Sequence, residues 1–259
     1  MEDLAMLPKQ RLACIANTIK QQKYCSVQQL ADEVHVSNAT IRRDLQLLAN
    51  QDIIQLTRGG AMHKSANASA EPDYMVKSSL NREEKKRIGA AACAMIRLGE
   101  TILLDTGTTV YQMTQSLQQM ENLTIVTNDV RIVAELAVCP ALTLCILGGI
   151  IRKGHYTTTG VWAQSALENL HVDRVFLSCD AVDLNMGCSI TNSEEILIKQ
   201  SMIKAGDSCV LLVDHSKFES MAFMRLCNLD KINCIITGKE LDDRIVQEYR
   251  AAGIKIMLV

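Results

Sequence analysis

Seven short apolar runs occupy the chain from residue 101 onward, at 101–104, 123–127, 142–147, 175–178, 209–213, 232–237 and 254–259. Most are separated by segments of helical periodicity, such as 110–120 and 195–204. A continuous apolar run of four to six residues suits a strand buried on both faces. Strands that alternate with helices build a parallel sheet with helices on either side. The pattern predicts an α/β domain over 81–259. Ligands of such sheets bind outside the carboxyl ends of the strands, so the polar residues following each run are where a site is expected.

The first quarter of the chain has a different texture. Leu12, Ile15, Ala16 and Ile19 share one face of a helix, and Ser26 is placed to cap a second helix over 27–33. After a turn at His35 and Val36, Ser37 caps a third helix that runs to about Asn50. Its apolar residues Ile41, Leu45 and Leu48 leave the opposite face polar. Residues 53–62 alternate and then break at Gly59 and Gly60, which predicts a short strand and a tight return. Short helices followed by a small hairpin make a winged helix-turn-helix, placed at 1–64. Small polar residues ending in Glu71, Pro72 and Asp73 lead to a linker assignment for 65–80. A helix is expected over 81–97, with Ile88, Ala91, Ala92, Met95 and Ile96 inward and Arg82, Lys85, Lys86 and Arg87 crowding its first turns.

The formal net charge of −2 excludes a protein coated in basic surface. It leaves DNA contact open, because phosphate binding needs a local patch and not a basic average. Ten cysteines are scattered with no C-x-x-C pair. Zinc sites show paired ligand spacing, so these thiols read as small buried hydrophobes in a reducing compartment. The longest apolar stretch, 132–151, is interrupted by Glu135, Pro140, Gly148 and Gly149, short of the roughly 20 residues a membrane helix needs. The expectation is a cytoplasmic protein with no metal, no cofactor, no catalytic residues and no membrane association.

In a helix-turn-helix the second helix of the motif enters the major groove. Here that helix carries Ser37, Asn38, Thr40, Arg42 and Arg43 in its first turns. An asparagine amide matches adenine and an arginine fork matches guanine. Arg42 and Arg43 point about 100° apart, so at most one lies deep in the groove while the other grips phosphate. Arg58, beside the glycine pair of the wing, completes the DNA-contacting set. The expected partner is a double-stranded operator, met by a homodimer or homotetramer through paired half-sites.

In the larger domain, Asp105, Thr106, Gly107, Thr108 and Thr109 lead from the first strand into a helix. A glycine among hydroxyls at a helix start is a natural phosphate cradle, although Thr also caps helices with no ligand present. Thr127 and Asn128 follow the second run. Gly148 and Gly149 with Arg152 follow the third, and Asp180 follows the fourth. Lys217 lies after the fifth, and Glu195 and Lys199 are spaced i, i+4 on one helix. Together these form the expected effector site.

The segments from Gln29 to Ser37, from Thr40 to Leu45 and from Arg58 to Ala61 resemble the DeoR family of bacterial regulators. Beyond residue 100 the resemblance continues through Asp105–Thr109, Thr127 with Asn128, Gly148 with Gly149, Glu195 with Lys199, and Asp214 to Phe218. It covers about residues 8–255. It implies a sensor domain similar in fold to ribose-5-phosphate isomerase and glucosamine-6-phosphate deaminase. It also implies a phosphorylated sugar effector, Asp105–Thr109 as the phosphate loop, and repression relieved by a pathway intermediate. Two departures stand out. Arg58 directly precedes the glycine pair, where the family places an arginine a few residues earlier. After the fourth strand the family commonly has Phe-x-Gly-x-x-Gly, and here both glycines are replaced, by Ser178 and Ala181.

Two other readings compete. One is a sugar-phosphate isomerase or deaminase, with Asp105, Asp180, Glu195 and Lys217 as acid–base groups. The other is a redox- or metal-responsive regulator using some of the ten cysteines, of which Cys179 and Cys188 lie nearest the expected site.

Overall fold

The computed structural model describes residues 8–22, 24–50, 53–57, 59–63 and 74–259. The chain divides into two compact units, Met1–Pro72 and Asp73–Val259.

The first unit contains helices α1 (Pro8–Gln22), α2 (Val27–Val34) and α3 (Asn38–Asn50). A small antiparallel sheet of β1 (Tyr24–Ser26), β2 (Ile54–Thr57) and β3 (Gly60–His63) has the order β1-β3-β2. Local chemistry sets the boundaries. The Ser26 hydroxyl accepts the Gln29 N–H at 3.1 Å while the Gln29 side chain accepts the Ser26 N–H at 2.9 Å, a reciprocal cap for α2. His35, at φ 53°, ends α2 in the left-handed region. The Ser37 hydroxyl accepts the Thr40 N–H at 3.2 Å and opens α3. Ile15, Ile19, Leu30, Ile41, Leu45, Leu48 and Ile54 form the core.

One charge pair crosses that core's edge. Arg11 on α1 donates to both carboxylate oxygens of Asp44 on α3, at 2.6 and 3.2 Å, and Asp44 is buried. Replacing Arg11 with methionine strands a buried carboxylate, and a loss of about 3 kcal/mol is expected from the first unit. Thermal denaturation of that unit measures it; a shift within error of zero would mean water reaches Asp44.

The second unit is built on a seven-stranded, wholly parallel sheet. Helices α4 (Tyr74–Ser79) and α5 (Arg82–Cys93) precede β4 (Thr101–Leu104). A 3₁₀ turn and α6 (Thr114–Leu117) lead to β5 (Leu123–Thr127), α7 (Val130–Leu136) and β6 (Leu142–Ile146). A hairpin of β7 (Ile150–Arg152) and β8 (Thr157–Thr159), then α8 (Val161–Glu168), leads to β9 (Val172–Leu177). After β10 (Ala181–Asp183), β11 (Gly187–Ile190) and α9 (Ile196–Ala205) come β12 (Gly206–Leu212), β13 (Met224–Cys227), β14 (Cys234–Thr237), α10 (Asp243–Ala251) and β15 (Ile256–Leu258). The sheet order is β15-β14-β12-β9-β4-β5-β6, and β10, β11 and β13 form a separate antiparallel sheet.

All seven apolar runs are strands of the main sheet, and the alternation along each explains why they read as unbroken. Ile102 and Leu104 face one core with Ile125, Phe176 and Val210, under α5, α6 and α7. Leu103 faces the other with Val126, Val175 and Leu211, under α8, α9 and α10. Both faces are dry.

The order reverses between β4 and β9. From β4 the chain builds outward through β5 and β6, then returns to start the other half at β9. Such a reversal opens a crevice at the strands' carboxyl ends.

Two expectations need correction. The linker assignment of 65–80 runs too far, because α4 belongs to the second unit and Lys77 on it pairs with Asp180 at 2.8 Å. The helix expected over 81–97 stops at Cys93, where the backbone tightens into i→i+3 bonds at Met95 and Ile96. The short strands β7, β8, β10, β11 and β13 have three or four residues each, too few for periodicity to register. Among the described residues no helix is long and apolar enough to cross a membrane. Of the ten cysteines, Cys25, Cys93, Cys179, Cys188, Cys209 and Cys234 are buried, and only Cys145 is exposed.

Candidate functional site: effector crevice and nucleic-acid interface

Two charged networks occupy the carboxyl ends of the strands beside the reversal. The first joins the ends of β4 and β9 to α9. Asp105, wholly buried at the end of β4, accepts the Ser178 N–H at 2.9 Å from the end of β9 and the Lys199 ammonium at 2.5 Å. Lys199 also donates to the Ser178 carbonyl at 3.3 Å and lies 3.8 Å from Glu195. Glu195 in turn accepts Arg152 at 2.7 Å. Charges therefore alternate along Asp105, Lys199, Glu195 and Arg152. Burial drives Asp105 up to about 6 against the pull of Lys199 and the Ser178 N–H. Burial also works against the Lys199 ammonium, but Asp105 and Glu195 outweigh it and raise Lys199 above its ordinary value. One oxygen of Asp105 stays buried without a hydrogen-bond partner among the described residues.

The second network surrounds the Asp105–Thr109 loop. Thr106 donates to Asp129 at 3.0 Å, and Asp129 caps α7 by accepting the N–H groups of Arg131 and Ile132 at 2.8 and 3.2 Å. Gly107 sits at φ 144°, and a Cβ there would lie 3.0 Å from the Ser178 hydroxyl, so the loop closes against β9 only with glycine. The Thr108 hydroxyl accepts the buried Lys85 ammonium at 3.1 Å. Lys85 also donates to the Lys77 carbonyl at 2.5 Å and lies 3.8 Å from Asp214. Burial lowers Lys85 to about 8; Asp214 opposes this, while Lys217 and Lys77 add to it. Asp180 holds Lys77 at 2.8 Å and the Thr191 N–H at 2.8 Å. Burial would raise its carboxyl, yet Lys77, that N–H and Lys217 keep it well below the usual carboxylate range. Lys217 is half-buried and makes no ion pair within 4 Å among the described residues.

The expected residues thus divide. Asp105, Thr106, Gly107, Thr108, Asp180, Glu195, Lys199 and Arg152 are joined by these contacts, and Lys217 acts on the same charges. Thr109 is buried at the loop's end. Thr127 and Asn128 serve the framework. The Thr127 hydroxyl accepts the Asp129 N–H at 3.0 Å, and the Asn128 amide donates to the Thr157 hydroxyl at 2.8 Å and the Thr158 carbonyl at 3.2 Å. Gly149 is packed so closely on the Thr159 carbonyl that no side chain fits, while Gly148 faces open space. The replaced family glycine at Ser178 now supplies both backbone groups that hold Asp105 and Lys199.

Lys85, Lys77 and Asp129 were not in the expected set. Lys85 looked like one member of a basic helix start, and only the fold brings it to Thr108. Glu84, its neighbour, accepts the His215 N–H at 2.7 Å, the Gly238 N–H at 3.1 Å and lies 2.6 Å from His215 Nδ1. Glu84, Asp214 and His215 are close enough together to hold a metal ion. Those same oxygens are already committed to binding α5 to the ends of β12 and β14, so the group reads as a tether.

In the first unit, Arg42 and Arg43 are exposed on α3, and neither forms an ion pair among the described residues. Thr40 shares a 2.9 Å hydrogen bond with Ser37, so both hydroxyls are engaged in the helix cap. The Asn38 amide donates to Gln28 at 3.0 Å, which uses the group expected to meet adenine. Arg58 lies outside the described residues.

Comparison with known proteins adds independent findings. The family model described as DeoR-like helix-turn-helix domain matches residues 11–66, and the one described as DeoR C terminal sensor domain matches 80–239. The chain is 31% identical to the uncharacterized HTH-type transcriptional regulator YgbI of Escherichia coli, over 96% of each chain. It is 29% identical to the HTH-type transcriptional repressor GlcR of Bacillus subtilis, over 98% of this chain and 97% of that one. A ribose 5-phosphate isomerase from Methanocaldococcus jannaschii overlays on 53% of this chain and 55% of its own, with a TM-score of 0.40 and 16% identity.

Proposed function

Because the chain belongs to the DeoR family of DNA-binding transcriptional regulators, we propose that it represses a carbohydrate-utilisation operon and that a phosphorylated sugar or sugar derivative controls its grip on the operator. It does so as a cytoplasmic homodimer or homotetramer, without enzymatic turnover. Ser37, Asn38 and Thr40 build and orient the start of α3, Arg42 and Arg43 meet the duplex, and Arg58 supports them from the wing.

The observation that carries the effector reading is the buried Lys85 ammonium at Thr108, with Lys77 and Lys217 acting on it as like charges. An anion entering the Asp105–Thr109 loop relieves that repulsion and meets hydroxyls and backbone N–H groups at once. Asp180, Glu195, Arg152 and Lys199 then offer groups for sugar hydroxyls, while Thr127, Asn128, Gly148 and Gly149 shape the wall. Asp105, the leading acid–base group of the enzyme alternative, is locked by Lys199 and Ser178, which favours a binding site over a reacting one. The effector alters DNA affinity to the extent that it binds one conformation of the protein better than the other.

The test is release of a labelled upstream operator fragment by a panel of phosphorylated sugars, with the unphosphorylated sugars as controls. Release by at least one phosphate ester and by none of its parent sugars is expected. Failure of the whole panel would overturn the effector assignment. The same assay has a pH signature. The charged form of Lys85 binds the anion and the empty site holds that lysine at about 8. Above the phosphate's own second ionisation near pH 6, affinity is therefore flat to about pH 8 and falls as pH rises beyond it, by up to about tenfold per unit. Lys85→Met should flatten that slope.

A further inference from the structure

Helix α4 is the first described element after the segment that joins the two units, and three contacts fasten it to the crevice. Lys77 on α4 pairs with Asp180 at 2.8 Å. The Lys77 carbonyl accepts Lys85 at 2.5 Å, and that ammonium also reaches Thr108 at 3.1 Å. Tyr74, at the start of α4, stacks on Arg131 with 4.4 Å from guanidinium carbon to ring centroid. Tyr111 and Tyr156 cover the same guanidinium at 5.1 and 5.0 Å, and Tyr156 meets Tyr74 edge-on at 5.5 Å. Arg131 directly follows the Asp129–Val130 start of α7, and Asp129 is the partner of Thr106. Two fastenings therefore end on Asp180 of the effector site and on Lys85 at Thr108, and the third on Arg131, whose N–H donates to Asp129, the partner of Thr106.

Two of the three fastenings use groups that an effector needs. Lys85 divides its donors between α4 and the loop, and Asp180 offers one oxygen to Lys77 and the other to the Thr191 N–H. The Tyr74 hydroxyl is buried with no hydrogen-bond partner among the described residues, and its ring packs on Arg131 and Tyr156.

We propose that α4 is a latch opened by the effector: the phosphate draws Lys85 away from the Lys77 carbonyl, and sugar hydroxyls displace the Lys77 ammonium from Asp180. This rests on the effector reading above and adds to it the element through which occupancy is passed toward the DNA-binding unit. The empty protein keeps α4 fastened; the loaded protein lets it go.

Hydrogen–deuterium exchange on the full chain tests this with inorganic phosphate and a set of hexose and pentose phosphates as probes. Protection of residues 105–109 accompanied by exchange at least about fivefold faster in residues 74–79 is expected. Protection of 105–109 with 74–79 unchanged or slowed would overturn the latch and leave the effector site standing. No protection of 105–109 by any probe would overturn the site, and the latch with it. A second measurement uses Tyr74→Leu, which removes the ring fastening on Arg131 and leaves the charges around Lys85 unchanged. Phosphate should then bind about three- to tenfold tighter, because less of the protein is held in the fastened form; unchanged phosphate affinity would count against the latch.

Discussion

Replacing Lys199 with methionine is expected to destabilise the second unit by about 3–5 kcal/mol, the range for removing one partner of a buried ion pair. That corresponds to roughly 6–20 °C in the melting temperature of a unit this size. The cause is specific. Lys199 is the positive link between Asp105 and Glu195, and Asp105 already has one oxygen without a partner. Glu195 keeps Arg152, so most of the penalty falls on Asp105. The sign of the pH dependence follows. A carboxyl raised above its unfolded value favours the folded state below that value and loses the benefit as pH rises through its folded one. Asp105 stands at about 6 with Lys199 present, and removing the ammonium raises it further. The variant should accordingly be closest to the parent near pH 5 and furthest from it near pH 8, as followed by thermal denaturation. Adding Asp105→Asn should recover part of the loss at pH 8. Equal destabilisation at both pH values would mean that lost packing, not a stranded charge, is responsible.

Joint replacement of Arg42 and Arg43 by alanine should lower operator affinity roughly 30- to 1000-fold, combining one base-edge contact with one phosphate contact. Both side chains are exposed and free of ion pairs among the described residues, so the folded state loses little. The single variants separate the roles. The one that reads a base weakens the cognate operator and relaxes preference at one position. The other weakens all sequences alike and reduces the salt slope by about one. Fluorescence anisotropy at several salt concentrations distinguishes them. Undiminished affinity in the double variant would remove α3 from the interface.

Much of this was legible in the linear chain, for identifiable reasons. The inner main-sheet strands are buried on both faces along most of their length, so their apolar runs stand out from the chain around them. Ser26 and Ser37 announce helix starts because capping is a contact within three residues. The Asp105–Thr109 loop is legible for the same reason, being five consecutive residues. What stayed hidden was contact at long range. Lys85 and Thr108 are 23 positions apart, and Lys77 and Asp180 are 103 apart. No periodicity encodes such a meeting, which exists only because the fold brings α4 and α5 to the loops that follow β9 and β4. Arg11 and Asp44 are the same case in the first unit. Asn38 shows the reverse limit: its side chain has the right chemistry for adenine, but Gln28 holds its amide.

The parallel sheet is bolted above and below by separate oily layers, and interiors of that density resist bending. A small molecule arriving at its rim therefore has little prospect of warping the platform beneath it. The proposed latch therefore works through the few ions and one short helix resting on that platform, as a discrete change of partners and not a graded flexing.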